Sequence, residues 1–422
     1  MDKRLISDSQ WLSDERLQAL LAALSADGEK ARIVGGAVRN TLLGQAVSDV
    51  DIATTTTPRE TMRRARKAGF RTAPTGIDHG TITVIADHRA YEVTTLRADV
   101  ETDGRRASVT FGRDWQRDAE RRDFTINALY AEADGTVVDL VGGIADLESR
   151  TLRFIGEADT RIREDYLRIL RFFRFFAWYG AGRPDADGLK ACARLKDGLG
   201  QLSAERVWAE LKKLLSAADP SRALLWMRQT GVLTKSVPET EKWGIDLIGP
   251  LMETERALGW APDPLLRLAA IIPPQKERIE TLAQRLKLSR AERLFLDGWA
   301  EAPLPSASLD EERFRKLAYR ADVKGLSTRL KLALAGARGR AVTDDTALAE
   351  AAGFARLLKL LDGWEKPSFP LSGNDLTKLG LEPGKELGAL LATLEDAWVE
   401  SGFALKRDAL LARAANVAGD RD

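Results

Sequence analysis

The stretch ARIVGGAVRNTLLGQAVSDVDIAT, residues 31–54, decides the fold. Ala31 to Val34 is a short apolar run that reads as a strand, and it leads straight into Gly35-Gly36. From Ala37 to Leu43 the pattern turns helical, and a second strand carries Asp49-Val-Asp-Ile52. Alternation with a period of two would put Asp49 and Asp51 on one face of that strand. Two carboxylates on one face repel each other unless a cation lies between them, so the pair points to divalent metal. A diglycine that opens a helix leaves backbone N–H groups free for phosphate, at the positive end of the helix dipole. Arg39 can then meet a phosphate oxygen with its forked guanidinium. A DxD alone is often an exposed strand end, and a GG is often only a turn. Their succession in this order points to metal-dependent phosphoryl transfer.

Working outward, Leu12, Leu17, Leu20, Leu21 and Leu24 predict a helix over residues 1–24. Pro58 suits the first turn of a helix over 58–68. GTITVI (80–85) and AYEVTTL (90–96) read as strands, and the second carries Glu92, a candidate third carboxylate. The polar, glycine-containing run from Arg97 to Arg113 reads as a mobile loop, and a strand at Val137–Leu140 closes the mixed part. Beyond about residue 145 helical patterning dominates. The expected fold class is α+β: a small mixed α/β head over residues 1–145, a helical neck over 146–235, and a helical body and tail over 236–422.

Composition narrows the chemistry. A chain of 422 residues exceeds one compact core, and its 44% apolar and 30% charged residues are those of an ordinary globular protein. The one cysteine, Cys192, excludes an intrachain disulfide and any multi-thiolate metal site. With only His79 and His88 available, a bound metal must rest mainly on carboxylate oxygens, which favours magnesium. No run approaches the ~18 apolar residues of a membrane span and the first residues show no apolar leader, so no membrane and a cytoplasmic location are expected. The net charge of +1 does not decide about nucleic acid, because the placement of charge matters more than its sum. Residues 313–340 hold nine Lys and Arg against Asp322 alone, a candidate contact for an RNA backbone.

Two later motifs carry further chemistry. In RRDFTINAL (121–129), helical spacing would bring Asp123 and Asn127 to one face, where both can bond sugar hydroxyls, and Arg122 offers charge to a phosphate. Equally, this is a helix stabilised by local charge pairs, with Phe124, Ile126 and Leu129 in the core. In IREDYLRILRFFRFF (162–176), Glu164 and Arg168 stand four apart, Asp165 and Arg168 three apart, and Arg168, Arg171 and Arg174 form a ladder. Such pairs ordinarily mark a solvated helix face. Beside Phe172, Phe173, Phe175, Phe176 and Trp178, the ladder instead suggests a helix that divides a core from an anionic ligand.

Taken in order, these motifs resemble the class II tRNA nucleotidyltransferases and bacterial poly(A) polymerases of the DNA polymerase beta superfamily. GGAVR with Leu42-Leu-Gly44 is similar to the family's first motif and SDVDIAT (48–54) to its metal motif. RRDFTINAL is similar to the ribose-selecting motif, and Asp139 to Gly143 with Asp146-Leu147 to the hinge between head and neck. EDYLR (164–168) resembles the EDxxR of the family, Ala204 to Leu215 its later neck motif, and Leu371 to Gly384 its tail signature. The likeness covers residues 30–235 well, with a further patch at 370–410. There is one departure: Asn40 stands where the family's GGxVRD has aspartate.

The resemblance implies in-line attack of an RNA 3′-hydroxyl on the α-phosphate of a nucleoside triphosphate. Asp49 and Asp51, with Glu92 as a weaker candidate, would hold two Mg²⁺ ions. Gly35, Gly36, Arg39, Arg122, Asp123 and Asn127 would bind the nucleotide. Asp165 and Arg168 would read the base, supported by Glu164 and Arg171. A carboxylate beside a guanidinium accepts an amino group and donates to a ring acceptor, an edge that cytosine and adenine share. Pro74 to Thr81 looks like the tRNA-enzyme form rather than the GRRF-like element of poly(A) polymerases. Asp99, Asp103, Arg105 and Arg106 look like the mobile loop of enzymes that add all three nucleotides. CTP and ATP as substrates and the tRNA 3′ end as partner follow. A-addition alone ranks second, poly(A) synthesis third, and an inactive RNA-binding module is the rival from another class. The sequence leaves the oligomeric state open.

Overall fold

The computed structural model describes residues 6–87, 89–103, 106–241 and 243–419, with residues 98–103, 106–109 and 417–419 described by backbone alone. His88 and Arg105 lie outside the described residues, as do the side chains of Asp99, Asp103 and Arg106. The chain divides into two compact units, Met1–Glu210 with Arg222–Ser236, and Leu211–Ser221 with Val237–Asp422.

The first unit opens on α1 (Glu15–Leu24), which starts where the Asp14 side chain accepts the Leu17 N–H. Residues 6–14 form turns, so the helix is shorter than its leucine spacing suggested. The strands are β1 (Ala31–Val34), β2 (Asp51–Thr54), β3 (Arg71–Gly76), β4 (Thr81–Ala86), β5 (Arg89–Thr95), β6 (Arg97–Asp103), β7 (Arg106–Phe111), β8 (Leu129–Ala131) and β9 (Val137–Asp139). Seven of them form one sheet in the order β3-β4-β5-β2-β1-β8-β9. Only β2 and β5 pair in parallel, with the other neighbours antiparallel. On β4, Ile82, Val84 and Ala86 are buried in strict alternation, the pattern of a sheet with one face on a core. The unforeseen β3 contains Pro74 and takes the sheet edge, where a missing N–H is tolerated. The segment expected to be a loop pairs as a hairpin, β6 against β7, with Val100 opposite Val109 and Asp103 opposite Arg106. An Asp-Gly pair at 103–104 is a hairpin signal that the polar composition obscured.

Helices α2 (Gly36–Leu42), α3 (Pro58–Lys67) and α4 (Trp115–Glu120) belong to this mixed part, and α5 (Gly143–Glu148) follows it. Then come α6 (Ala158–Glu164), α7 (Leu167–Tyr179), α8 (Ala186–Leu195) and α9 (Ala204–Leu215). On α7, Phe172, Phe173, Phe175 and Phe176 are all buried. Phe172 stacks on Phe154 at 5.4 Å, and Phe154 meets Phe124 at 4.8 Å. That aromatic column holds the helix against the sheet-bearing part.

The second unit is helical throughout its described residues. One core gathers Phe314, Leu326, Leu330, Leu334, Phe354 and Leu357, and a second gathers Tyr319, Leu376, Leu394, Trp398 and Leu410. The basic stretch 313–340 is largely neutralised within this unit. Arg313 pairs with Asp310, Arg315 with Glu311, Lys316 with Glu312 and Glu400, Arg320 with Asp396, and Arg340 with Glu350. Arg329 donates to the carbonyls of Ala300 and Ala302, and Lys331 sits over Trp260. The acids that answer the stretch lie outside its window, so the sequence count overstated the exposed positive charge.

Among the described residues of this unit Arg267 is the most buried cation, 1% exposed. Its Nη2 lies 2.6 Å from Glu255 Oε2, and its Nη1 donates to the Leu215 and Ala217 carbonyls at 2.5 Å. A charge taken this far from water is tolerated only when fully paired. Arg267→Ala is expected to cost about 3–5 kcal/mol in urea unfolding, because it strands Glu255 and two carbonyls. Replacing both partners by apolar residues of similar volume should cost far less, and equal losses would show that the pair does not act as a unit.

Candidate active site

The register of β1 on β2 sets Val34 opposite Asp51, so the diglycine turn emerges beside the aspartates. Gly35 takes a φ of 72°, which L side chains avoid, and its N–H donates to the Leu129 carbonyl at 2.9 Å. Asp51 is the first residue of β2, whereas Asp49 lies before the strand, so the shared-face argument reaches only one of the two. Ser48 Oγ donates to Asp49 Oδ2 at 2.9 Å. On the other side Asp51 is the register partner of Glu92 on β5. The Asp51 carboxyl is raised above its ordinary value, first by lost hydration, then by the charge of Glu92 and more weakly that of Asp49, while Arg122 opposes the shift. Its outer side stays open to solvent. Like charge crowded at a solvent opening is what a divalent cation relieves. Among the described residues no three His, Cys, Asp or Glu side chains converge on one point. Ions held by Asp49 and Asp51 would complete their shells with substrate oxygens and water.

The RRDFTINAL segment is not a helix. It bends, bridges Phe124 to Phe154, and makes a single 3₁₀ turn over Thr125–Asn127. Asp123 and Asn127 still meet. Asp123 Oδ1 accepts from the Phe124 N–H at 2.9 Å and from Asn127 Nδ2 at 3.0 Å, and its Oδ2 accepts from Arg171 Nε and Nη2 at 2.8 and 2.5 Å. Burial alone would push this carboxyl up. The Arg171 charge and the hydrogen bonds of Asn127, Arg171 and Phe124 hold it below the usual carboxylate range. Arg122 donates to Asp118 Oδ2 through Nε and Nη2 at 3.4 and 3.2 Å, and its Nε also reaches the Tyr130 hydroxyl. Its field still acts on Asp51.

Arg39 departs from the phosphate pairing read from the sequence. It is 6% exposed, and its donors face protein. Nη1 donates to Asn127 Oδ1, Nε and Nη2 to Asn40 Oδ1 at 3.2 and 3.0 Å, and Nη2 also to the Tyr179 hydroxyl at 2.8 Å. The Tyr179 ring lies 4.0 Å from the guanidinium. Asn40 fits its place as an amide: Oδ1 accepts from Arg39 while Nδ2 donates to the Ala46 carbonyl at 3.2 Å. An ionised aspartate would have no proton for that carbonyl.

The chain breaks between two helices at the EDYLR motif. Helix α6 ends at Glu164, Asp165 is extended, and α7 starts at Leu167, so Asp165 and Arg168 are not three apart on one helix. Each is oriented by its own partners. Asp165 Oδ1 accepts the Leu167 N–H at 3.1 Å and its Oδ2 accepts from Arg206 Nη2 at 2.6 Å. Arg168 Nη1 donates to Glu164 Oε2 at 2.5 Å and to the Arg161 carbonyl at 2.9 Å. The Tyr166 ring lies against Gly198, where a Cβ would come within 2.0 Å of it. The rest of the ladder is answered by protein carboxylates, Arg171 by Asp123 and Arg174 by Glu210 at 2.5 Å. Arg206 and Glu210, unassigned in the sequence reading, are four apart on α9, a spacing that could have flagged them. Tyr179 ends an aromatic run and offered no signal.

Residues 31–153 match the family model described as the Poly A polymerase head domain. Residues 184–243 match the one described as a probable RNA and SrmB-binding site of polymerase A. The chain is 38% identical over 390 residues to CCA tRNA nucleotidyltransferase 1, mitochondrial, of Danio rerio, covering 90% of this chain and 86% of that protein. It is 32% identical over 402 residues to the CCA-adding enzyme of Leuconostoc mesenteroides, covering 93% and 94%. The crystal structure of the Bacillus stearothermophilus CCA-adding enzyme in complex with CTP superposes with a TM-score of 0.67 at 26% identity, covering 96% of this chain and 98% of that one. With a mixed head that carries the diglycine and aspartates, and with this likeness running almost end to end, the chain belongs to the CCA-adding tRNA nucleotidyltransferase family.

Proposed function

We propose that this protein adds C, C and A in turn to the 3′ end of tRNA, consuming CTP and ATP and releasing pyrophosphate. One observation carries the reading: a relative named for CCA addition to tRNA is 38% identical and aligns over 90% of the chain. That extent favours CCA addition over A-addition alone and over poly(A) synthesis. The cytoplasmic setting read from the sequence belongs to this proposal. No helix among the described residues is long and apolar enough to cross a membrane.

Asp49 and Asp51, with Glu92 alongside, would hold two magnesium ions, which supply charge neutralisation at the attacking and leaving oxygens. The chain's own residues do the rest by positioning. The turn at Gly35 and Gly36 offers backbone N–H groups to the triphosphate. Arg122, with Nε and Nη2 on Asp118, retains Nη1 for a phosphate oxygen. Asn127 has one Nδ2 hydrogen engaged by Asp123 and a second for a sugar hydroxyl. Asp165 and Arg168, oriented by Arg206 and Glu164, present an acceptor and donors to the base edge. Glu164 and Arg171 support that pair, from the end of α6 and from Asp123. On the tRNA side, exposed Lys324 and Arg338 of the helix Val323–Arg340 are the cations of the basic stretch left for backbone contact.

Incubating the protein with a tRNA that lacks CCA and with each labelled triphosphate tests the reading directly. Incorporation of ATP alone, or a long A tract, would overturn it. Asp51→Asn is expected to abolish incorporation of CTP and ATP by about a thousandfold or more, since an ion ligand is lost. The same change should leave the melting temperature equal or slightly higher. Its raised carboxyl opposes folding at pH 7, an opposition that begins to fade as the pH falls through the folded value and is gone below the unfolded one, and asparagine removes that penalty. A large fall in melting temperature would show that Asp51 is structural. Arg168→Ala should relax the preference for C and A over U and G by roughly ten- to a hundredfold while overall turnover falls less. An unchanged preference in a folded variant excludes Arg168 as the base reader.

A further inference from the structure

Helix α7 grips the sheet-bearing part at two points. Near its start, Arg171 holds Asp123 through Nε and Nη2. At its last residue, Tyr179 holds Arg39 of α2: the hydroxyl accepts from Nη2 at 2.8 Å while the ring covers the guanidinium at 4.0 Å. Asn127 joins the two grips, giving Nδ2 to Asp123 and taking Arg39 Nη1 on Oδ1. Arg171, Asp123, Asn127, Arg39 and Tyr179 thus form a closed ring, completed by eight residues of helix, about 12 Å of rise. Gly36 lies against the guanidinium, its missing Cβ 3.7 Å from Arg39 Nη2. Phe175, one turn before Tyr179, flanks the same cation at 5.3 Å. Arg168 stands one turn before Arg171, at the start of the same helix.

A ring anchored at two points eight residues apart on one helix fixes its translation and its rotation, where a single salt bridge would let it pivot. The diglycine turn, the Asp123–Asn127 turn and the base-reading end of α7 are therefore held at one mutual spacing. We propose that Tyr179 is a positioning residue for nucleotide addition, closing the ring that sets Arg168 at its distance from the diglycine turn. This rests on the functional reading above and deepens it. Tyr179 acts through Arg39, with its hydroxyl and its ring face, and the hydroxyl also donates to Asn40 Oδ1 at 3.4 Å. The arrangement also gives the buried Arg39 a role in a chain whose position 40 offers it an amide instead of a carboxylate.

Tyr179→Phe keeps the ring face and removes the hydroxyl, and Tyr179→Leu removes both. Steady-state addition of C to tRNA lacking CCA should show KM for CTP rising about threefold in the first and about tenfold in the second, the range of one or two ordinary polar contacts. The kcat should stay within about twofold, because the carboxylates and the diglycine turn are untouched. Misincorporation of UTP should rise in the same order. Combining Tyr179→Leu with Arg39→Gln should do little more than either change alone, since both open one ring. Unchanged KM and fidelity in a folded Tyr179→Leu, or losses that simply add in the double variant, overturn the proposal. So does a fall in kcat alone. If Tyr179→Leu does not fold, the graded effect of Tyr179→Phe decides the matter by itself. Failure of the unsubstituted protein to incorporate CTP would instead sink the functional reading.

Discussion

The buried carboxylate of Asp123 is the constraint from which the catalytic half of the molecule follows. Only 8% exposed, it would be costly as a lone charge, so every element that touches it must bring a donor. The Phe124 N–H, the Asn127 amide and the Arg171 guanidinium do so. The first bends the segment out of helical geometry, the second shapes the 3₁₀ turn, and the third docks α7. Its folded value is depressed, so its contribution is complete above the unfolded carboxylate range. That contribution is lost as the pH falls through the folded value. Acid should accordingly loosen the seat of α7 before it touches the apolar cores.

Around that anchor the acidic groups sort into two kinds. Asp118 and Asp123 are buried against arginines and held low despite their burial. Asp51 is pushed up, since lost hydration and the neighbouring Glu92 and Asp49 outweigh the single opposing field of Arg122. A structural role suits the first kind, because each charge is already matched. The second kind leaves negative charge unmatched next to a glycine turn and open to solvent, where a cation and a triphosphate can complete it. The contrast separates Asp51, the proposed ion ligand, from the architectural carboxylates more sharply than their spacing in the chain does.

The sequence showed the strand, diglycine, helix and strand of residues 31–54 because local periodicity and glycine chemistry determine them. Glu92 was placed on a neighbouring strand for the same reason, and the register puts it beside Asp51. What escaped depends on contacts distant in the chain. RRDFTINAL has helical spacing, but the Phe124–Phe154 bridge and the Asp123 hydrogen bonds outweigh propensity. EDYLRILR reads as one helix, but Asp165 turns its carboxylate onto the next N–H and onto Arg206, 41 residues away, and breaks it. The arginine ladder looked like an offer to an external anion, whereas Asp123 and Glu210, far along the chain, already answer it. The basic stretch 313–340 failed likewise: Asp396 and Glu400 come back from the tail to neutralise it.

These misreadings share a physical source that also explains the site's design. A helix with arginines at three-residue steps can serve several partners, because each step turns the side chain and advances it by about 4.5 Å. On α7 the steps are assigned in order: Arg168 to Glu164 across the break between α6 and α7, Arg171 to the Asp123 turn, Arg174 to Glu210 on α9. Buried Ile169, Leu170, Phe172 and Phe173 fill the intervening positions, so the helix cannot rotate to exchange one partner for another without exposing them. Apolar packing therefore enforces the charge assignments, and the charge assignments prevent the helix from sliding. Neither alone would hold the EDYLR end of α7 and the diglycine turn at a fixed separation, and on the function proposed above that separation is what a template-free enzyme has with which to choose its nucleotide.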